Sequence, residues 1–444
     1  MKILIYDPVY SKIIGKDAHL IWPCISFTSE YWKQTPYRKQ RHTYEQKMVN
    51  KNGYFLTGLI PLILAYSDEN NLHCQLELAC KVNEYVIHRP NLKGVIFRED
   101  QQYLIEQAAK LHRGVLVAPT GSGKTLVALG IMSAFPKTRV LFLCHTKTLI
   151  EQTSAELKKF GFKYSICQGA KKDIRGPIVL ATIQSFSKIL PTLYGTYDIV
   201  MVDEAHHISN LETQYAKVLS CVYSPLRFGF TATIPTKKES FFAMVGLLGP
   251  VIGETTIDQG VKEGFVAKPK IKILKSNYNQ EIRELRNYPA VYEYGIVRNR
   301  GRNKLIVDYV KQENSKGNSV LVIVNKLDHG RYLNHLIDKS IFVQGETESV
   351  SREEIRLAFN SKEIKCCIAT TVWKEGVNIP SLNVIINAAG GKSEIATLQA
   401  IGRGLRVTKD KKEITIVDIF DPSHPYLISH FGERISLYCD NNWL

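Results

Sequence analysis

The chain has no apolar run long enough to cross a bilayer. The longest, LIPLILA from Leu59 to Ala65, falls far short of the roughly 20 residues that a membrane helix needs. The N-terminus, MKILIYDPVY, meets Asp7 and Pro8 before any signal-like apolar core develops. A secretory leader is therefore not expected, and a bacterial or phage-infected host cytoplasm is the expected setting. Nine cysteines, an odd number, include no C-x-x-C pair, so the usual metal and redox spacings are missing and reduced thiols are expected. Cys366 and Cys367 are adjacent inside an apolar run and read as core filling. No repeat of 20–50 residues and no low-complexity tract occurs, which argues against a solenoid or a disordered tail.

Acid is scarce relative to base: 42 Asp plus Glu stand against 58 Lys plus Arg, for a net charge of +16. The excess is spread along the chain, +4 over residues 1–94, +6 over 95–268 and +6 over 269–444. That distribution suits a long polyanion lying across several domains better than one basic tail. At 444 residues, 44% hydrophobic, the chain is long enough for two or three domains with their own cores.

From Gly114 onward short apolar runs alternate with longer amphipathic ones. GVLVA (114–118), RVLFLCHT (139–146), PIVLAT (177–182), DIVMVDE (198–204) and RFGFTAT (227–233) read as strands, because parallel strands covered on both faces are almost continuously apolar. The rhythm restarts with SVLVIVN (319–325), IFVQG (341–345), CCIATT (366–371), NVIINAA (383–389) and EITIVDIF (413–420). Two runs of strand–helix units predict two doubly wound α/β domains in tandem. The charged, Tyr-rich stretch 277–304 reads as a helical connector. The first 94 residues lack the βαβ rhythm and read as a small α+β domain. The expected division is 1–94, 95–275 and 276–444.

APTGSGKT (118–125) lies between a predicted strand and a helical segment. Such a loop, here Pro119, Thr120, Gly121, Ser122 and Gly123, wraps backbone N–H groups around phosphates. Lys124 then reaches the β and γ phosphates, and Thr125 offers its hydroxyl to Mg²⁺. The P-loop pattern usually begins with Gly; here Ala118 stands there. Asp203 follows the apolar run IVMV, so it is expected at the carboxyl edge of the sheet as the second Mg²⁺ ligand, with Glu204 placed to orient or deprotonate water. The cluster Asp203, Glu204, His206, His207 also invites a zinc reading. A zinc-protease helix needs two His four apart around a Glu, and these two are neighbours, so zinc is not expected and His207 is given no catalytic part. In QAIGRGLR (399–406), Arg403 and Arg406 are three apart on an expected helix, and two guanidiniums on one face suit an arginine-finger role on the γ-phosphate.

The ordered set FREDQ (97–101), APTGSGKT, ATIQS (181–185), DEAH (203–206), TAT (231–233), ATTVWKEGVNIP (369–380) and QAIGRGLR resembles the superfamily 2 helicases over residues 95–420. The resemblance implies two RecA-like domains and an ATP- and Mg²⁺-dependent motor. It implies that Arg98 and Gln101 serve the nucleotide, with Gln101 on adenine, and that His206 links the ATP site to Gln399. Thr231 and Thr233 would couple hydrolysis to motion, and Gly376 and Asn378 would lie near nucleotide and strand. His145, Thr146, Lys147, Thr182, Gln184, Thr370 and Thr371 would contact the nucleic-acid backbone. The Q-x-x-G-R-x-x-R form and TAT resemble DNA translocases of repair and recombination more than RNA-remodelling DEAD- or DEAH-box proteins. A compact motor behind a small N-terminal domain is similar to phage recombination helicases of the UvsW kind, which remodel branched DNA.

The segment YWKQTPYRKQRHTYEQKMVNK (31–51) carries six Lys or Arg against one acid, with aromatics between them. Trp32, Arg38, Lys39 and Arg41 are its candidate nucleic-acid contacts, since cations hold phosphates and aromatic faces stack on bases. A strand-separating wedge is alternatively sought in the connector around Arg298, Arg300 and Arg302. The function expected is an ATP-dependent DNA helicase or translocase on forked or branched DNA, working as a monomer, with replication or recombination proteins as candidate partners. An RNA helicase or double-strand translocase, and a nucleotide-gated clamp without turnover, are the alternatives.

Overall fold

The computed structural model describes residues 1–34, 39–80, 84–189, 197–344, 347, 349–370, 379, 381–391 and 411–444, with the side chains of 31–34, 39–41 and 349–353 left outside the description. Arg38, Thr371, Gly376, Asn378, Gln399, Arg403 and Arg406 lie outside the described residues. The chain forms two compact units, 1–118 with 123–254 and 119–122 with 255–444. Among the described residues no helix is long and apolar enough to cross a membrane.

The first unit opens with β1 (Lys2–Ile5), β2 (Tyr10–Ile14), β3 (Ser26–Gln34), β4 (Lys39–Lys47), β5 (Tyr54–Leu56), helix α1 (Ile60–Glu69) and β6 (Gln75–Leu78). β1, β2, β5 and β6 make a four-stranded sheet in the order β5-β2-β1-β6, and β3 with β4 makes a separate antiparallel ribbon. The basic segment is therefore a ribbon, in which Trp32 pairs with Arg41 and Gln34 with Lys39.

The α/β part of this unit runs α2 (Glu99–Leu111), β7 (Arg113–Val117), α3 (Lys124–Ala134), β8 (Val140–Cys144), α4 (Lys147–Lys159), β9 (Tyr164–Gln168), β10 (Lys171–Lys172), β11 (Ile178–Thr182), α5 (Ile183–Phe186), β12 (Ile199–Asp203), α6 (Gln214–Cys221), β13 (Leu226–Thr231), α7 (Lys238–Leu248) and β14 (Val251–Glu254). Its sheet order is β10-β9-β11-β8-β12-β13-β7-β14, parallel except at β10. Alternate residues face opposite cores, as a two-residue period requires. Leu141, Leu143, Val200 and Val202 join one core, and Val140, Phe142, Ile199 and Met201 the other. Each fully buried side chain of this size contributes roughly 1.5–3 kcal/mol.

The first of those cores is continuous with the N-terminal residues Ile3, Ile21, Phe55 and Leu59. Helix α7 mediates the junction. A Cβ added at Gly58 would lie 2.6 Å from Gly246 O, and one at Gly246 would lie 2.7 Å from Leu56 Cδ1, so only glycine permits this approach. Arg113 adds a bond from Nη1 to Pro8 O (2.9 Å). Arg227, fully buried, donates to the carbonyls of Leu247, Val222 and Leu219 at 2.6–2.8 Å. It satisfies the ends of α6 and α7, which would otherwise be orphaned.

The second unit contains α8 (Ile257–Lys262), β15 (Lys268–Lys275), α9 (Tyr288–Tyr292), α10 (Arg300–Ser315), β16 (Val320–Ile323), β17 (Ser340–Val343), β18 (Cys366–Ala369), β19 (Val384–Asn387) and β20 (Glu413–Phe420). The parallel order is β15-β20-β19-β16-β18-β17. β15, which the sequence reading placed at the end of the first α/β region, is the edge strand of this second sheet. Cys366 and Cys367 point into opposite cores, and burial pushes the Cys366 thiol up to about 12. Arg302 is fully buried, its guanidinium on Asp421 (Nε to Oδ2, 3.0 Å) and Ala388 O (2.9 Å). It is a core tether and not a wedge residue. Arg298 and Arg300 are exposed.

Candidate active site

Four strand ends at the carboxyl edge of the first sheet carry most of the described motif residues. The order β8-β12-β13-β7 sets the segment after β8 beside the acidic turn after β12, and sets β13 between that turn and the strand feeding the phosphate loop. Thr231, the last residue of β13, is the meeting point. Its carbonyl accepts from Ala118 N (2.9 Å), and its hydroxyl donates to Thr233 O (2.8 Å). The single hydroxyl proton is thereby used, so His206 Nδ1, 3.1 Å from Thr231 Oγ1, must be the donor there. This fixes a proton on Nδ1. Thr233 Oγ1 is buried and accepts or donates no hydrogen bond among the described residues.

The phosphate loop turns on glycine. Gly121 and Gly123 have φ of 88° and 90°, the left-handed region that other residues enter at a cost. Gly123 caps α3, whose first two residues are Lys124 and Thr125. Lys124 Nζ donates to Ala118 O (3.1 Å), folded back along its own loop. Ser122 is buried. Gln101, 2% exposed, packs so closely that a Cβ on Gly123 would lie 2.6 Å from its Nε2. Its Oε1 accepts from Arg98 N (3.3 Å), and Arg98 itself grips Asp100 through Nε and Nη2 (3.0 and 2.9 Å). The FREDQ residues thus meet the loop at Gln101.

Asp203 ends β12, and Glu204 adopts φ 52°, ψ 54°, a left-handed non-glycine conformation costing roughly 1–2 kcal/mol. That bend turns the chain out of the sheet into the short 3₁₀ turn Ala205–His207. Glu204 N donates to Asp203 Oδ1 (3.0 Å). Burial, and then the adjacent Glu204 carboxylate, push the Asp203 carboxyl up to about 7, partly opposed by the Lys124 ammonium. A buried carboxyl beside a second carboxylate ionises less readily, and a bound cation would relieve that cost. Glu204 Oε2 is buried, accepts no hydrogen bond among the described residues and lies 3.4 Å from His206 Nδ1. Carboxylate oxygens and the Thr125 hydroxyl are hard donors, and Mg²⁺ takes one or two carboxylates together with substrate phosphates. The donor set fits that ion.

The expected nucleic-acid contacts divide. His145 directly follows β8, and Thr146 caps α4, its Oγ1 accepting from Leu149 N (3.4 Å). Lys147 opens that helix and is exposed, and Gln184 is exposed on α5. Thr182 is buried, with Oγ1 2.9 Å from Ser185 Oγ, and Thr370 is 5% exposed. Trp32, Lys39 and Arg41 are on the ribbon. The sequence reading missed the stacking of His145 on His207, with centroids 4.1 Å apart and planes 12° from parallel. It also missed the role of Thr231 in joining the acidic turn to the phosphate loop. Only the strand order, which the sequence does not display, brings these groups together.

Residues 94–236 match the family described as type III restriction enzyme, res subunit, and residues 301–408 match the helicase conserved C-terminal domain. Over 367 residues the chain is 24% identical to the ATP-dependent DNA helicase uvsW of Enterobacteria phage T4, covering 74% of this chain and 72% of that protein. It is 26% identical over 398 residues to the DNA 3'-5' translocase XPB2 of Sulfurisphaera tokodaii, covering 80% of this chain and 89% of that one. The solved structure of S. cerevisiae Dbp5 L327V bound to RNA and ADP BeF3 superposes with a TM-score of 0.56 at 13% identity, covering 77% of this chain and 88% of that chain. That last likeness is one of fold, two tandem RecA-like domains.

Proposed function

Because this chain belongs to the superfamily 2 helicases and is an ATP-hydrolysing motor, we propose that it translocates on DNA and remodels forked or branched junctions. The observation that carries the reading is the shared sheet edge. The segment His145–Lys147 after β8 and the carboxylates at the end of β12 belong to adjacent strand ends of one sheet, and the phosphate loop after β7 is separated from β12 by β13 alone. A polyanion gripped at His145, Thr146 and Lys147 therefore lies one strand away from the carboxylate that handles water. The net charge of +16 and the basic ribbon favour a nucleic acid, and the two relatives above are named for DNA.

In the proposed chemistry, ATP enters with its phosphates on the N–H groups of 120–123 and the Lys124 ammonium. Mg²⁺, held by Asp203 and the Thr125 hydroxyl, would neutralise phosphate charge. Glu204 takes a proton from the attacking water as it adds to the γ-phosphorus and the bond to ADP breaks. Arg403 and Arg406 would stabilise the charge on the transferring phosphoryl group, and Gln399 would read His206. Gln101 would meet adenine, and Gly376 and Asn378 would respond to nucleotide. Thr231, bonded to both the phosphate loop and His206, would pass the change of state on with Thr233. Residues 1–94 would add DNA contacts through Trp32, Arg38, Lys39 and Arg41.

The test is an ATPase and strand-separation panel on forks, four-way junctions, linear duplex and RNA of equal length. Forks and junctions should give the highest kcat/KM. Stimulation by RNA and none by branched DNA would overturn the proposal.

A further inference from the structure

His207 was assigned no part by its sequence position, yet it occupies the middle of a column of rings. β8 and β12 are hydrogen-bonded neighbours, with Leu143 opposite Val202, so the residues that follow them leave the sheet side by side. The left-handed Glu204 then folds the acidic turn back, and His207 lands on His145 as a parallel stack at 4.1 Å. Tyr215 lies beyond His145, at 6.5 Å and 18°. His207 also lies against His206, with ring centroids 4.5 Å apart and planes at 35°. His206 in turn sits 3.4 Å from Glu204 Oε2 and 3.1 Å from Thr231 Oγ1.

One end of this column is the segment that leads into α4, a helix of 13 residues whose N-terminal side carries Thr146 and Lys147. The other end is the carboxylate that handles water. At this separation the two imidazole rings pack face to face with no room for a group between them. The stack also resists sliding, because close-packed groups switch between discrete arrangements instead of deforming continuously. A phosphate that shifts the His145 ring must therefore shift His207, whose ring centroid lies 4.5 Å from that of His206.

We propose that His207 is a positioning residue that passes polynucleotide occupancy at His145 on to Glu204 through His206. It is the ring by which a nucleic acid on the adjacent strand end raises the rate of ATP hydrolysis. The inference rests on the reading that His145–Lys147 grips a polynucleotide. Coupling between sites typically changes affinity by roughly 5- to 150-fold, and a change of about that size is expected here in the stimulation ratio.

The experiment measures steady-state ATPase of the full chain with and without a saturating forked DNA, for wild type, His207→Ala and His207→Phe. His207→Ala should keep its DNA-free kcat, its ATP KM and its fork Kd within about twofold of wild type, while the stimulation ratio falls at least fivefold. His207→Phe, which keeps a flat ring in the stack, should recover at least half of the lost stimulation. If the alanine variant does not fold, His207→Asn takes its place. A ringless variant stimulated like wild type would overturn the proposal. So would an equal fall in DNA-free and DNA-stimulated rates, because that marks a packing defect, and so would a phenylalanine variant as impaired as alanine. A wild type stimulated by no polynucleotide would instead remove the reading on which the inference rests.

Discussion

Gly123→Ala should weaken ATP binding without lowering the melting temperature, and the size of the loss follows from two contacts. Gly123 has φ 90°, and an alanine held there pays roughly 1–2 kcal/mol for the left-handed backbone. Its Cβ would lie 2.6 Å from Gln101 Nε2, inside the 3.0 Å that real Cβ atoms respect. Gln101 would have to move, and the bond from Arg98 N to its Oε1 at 3.3 Å would go with it, roughly 0.5–1.5 kcal/mol more. The flanking β7 and α3 are buried, so the chain escapes the strain by refolding the loop and not by opening the sheet. The penalty of about 2–3 kcal/mol then appears as a dissociation constant raised roughly 30- to 150-fold. Titration calorimetry with a non-hydrolysable ATP analogue measures it. Removing the clash with Gln101→Ala in the same chain should give a favourable coupling of about 1 kcal/mol in a double-mutant cycle. An affinity within threefold of wild type for Gly123→Ala, or strict additivity in the cycle, would refute the reasoning.

Three further outcomes are expected. Glu204→Gln should lower nucleic-acid-stimulated ATPase by a factor of about 10²–10⁴ while ATP still binds, as single-turnover and binding assays would separate; an unchanged rate would sink the mechanism. His329 is fully buried, with Nε2 2.9 Å from Asn303 Oδ1, and burial, then the Arg302 charge, push its pKa down from 6.5 to about 3. The unfolded chain then binds the proton first, so stability is full above pH 6.5 and falls as pH drops toward 3. Between pH 6.5 and 5 the loss from this group should be about 2 kcal/mol in guanidinium unfolding, and His329→Gln should flatten that slope. Gly58→Ala, which drives a methyl into the backbone of α7, should cost about 1–3 kcal/mol and lower the melting temperature of the first unit; a variant as stable as wild type would show that the junction yields.

The interior strands were legible because a strand covered on both faces writes its burial as an unbroken apolar run. β7, β8, β11, β12 and β13 are of this kind. β15, KPKIKILK, alternates lysine with apolar residues because it is an edge with one face toward water, and it did not stand out as part of a sheet. The phosphate loop and the acidic turn were legible because their chemistry is local in sequence. Arg302 was not, since its burial depends on Asp421, 119 residues away, and nothing next to it announces that partner. The pairing of His145 with His207 was hidden for the same reason: parallel strand order is a long-range property.

The close approach of Gly58 to α7 has a mechanical consequence. Phe27, at the base of the ribbon, meets Phe242 of that helix at 5.9 Å between ring centroids, and the ribbon's footing shares one core with the sheet that carries the phosphate loop. A module joined this way is a lever and not a tether. Rotation of that sheet during a catalytic cycle would swing the ribbon through the same angle. The ribbon's far end, being farther from the shared core than its footing, would then be displaced more than that footing.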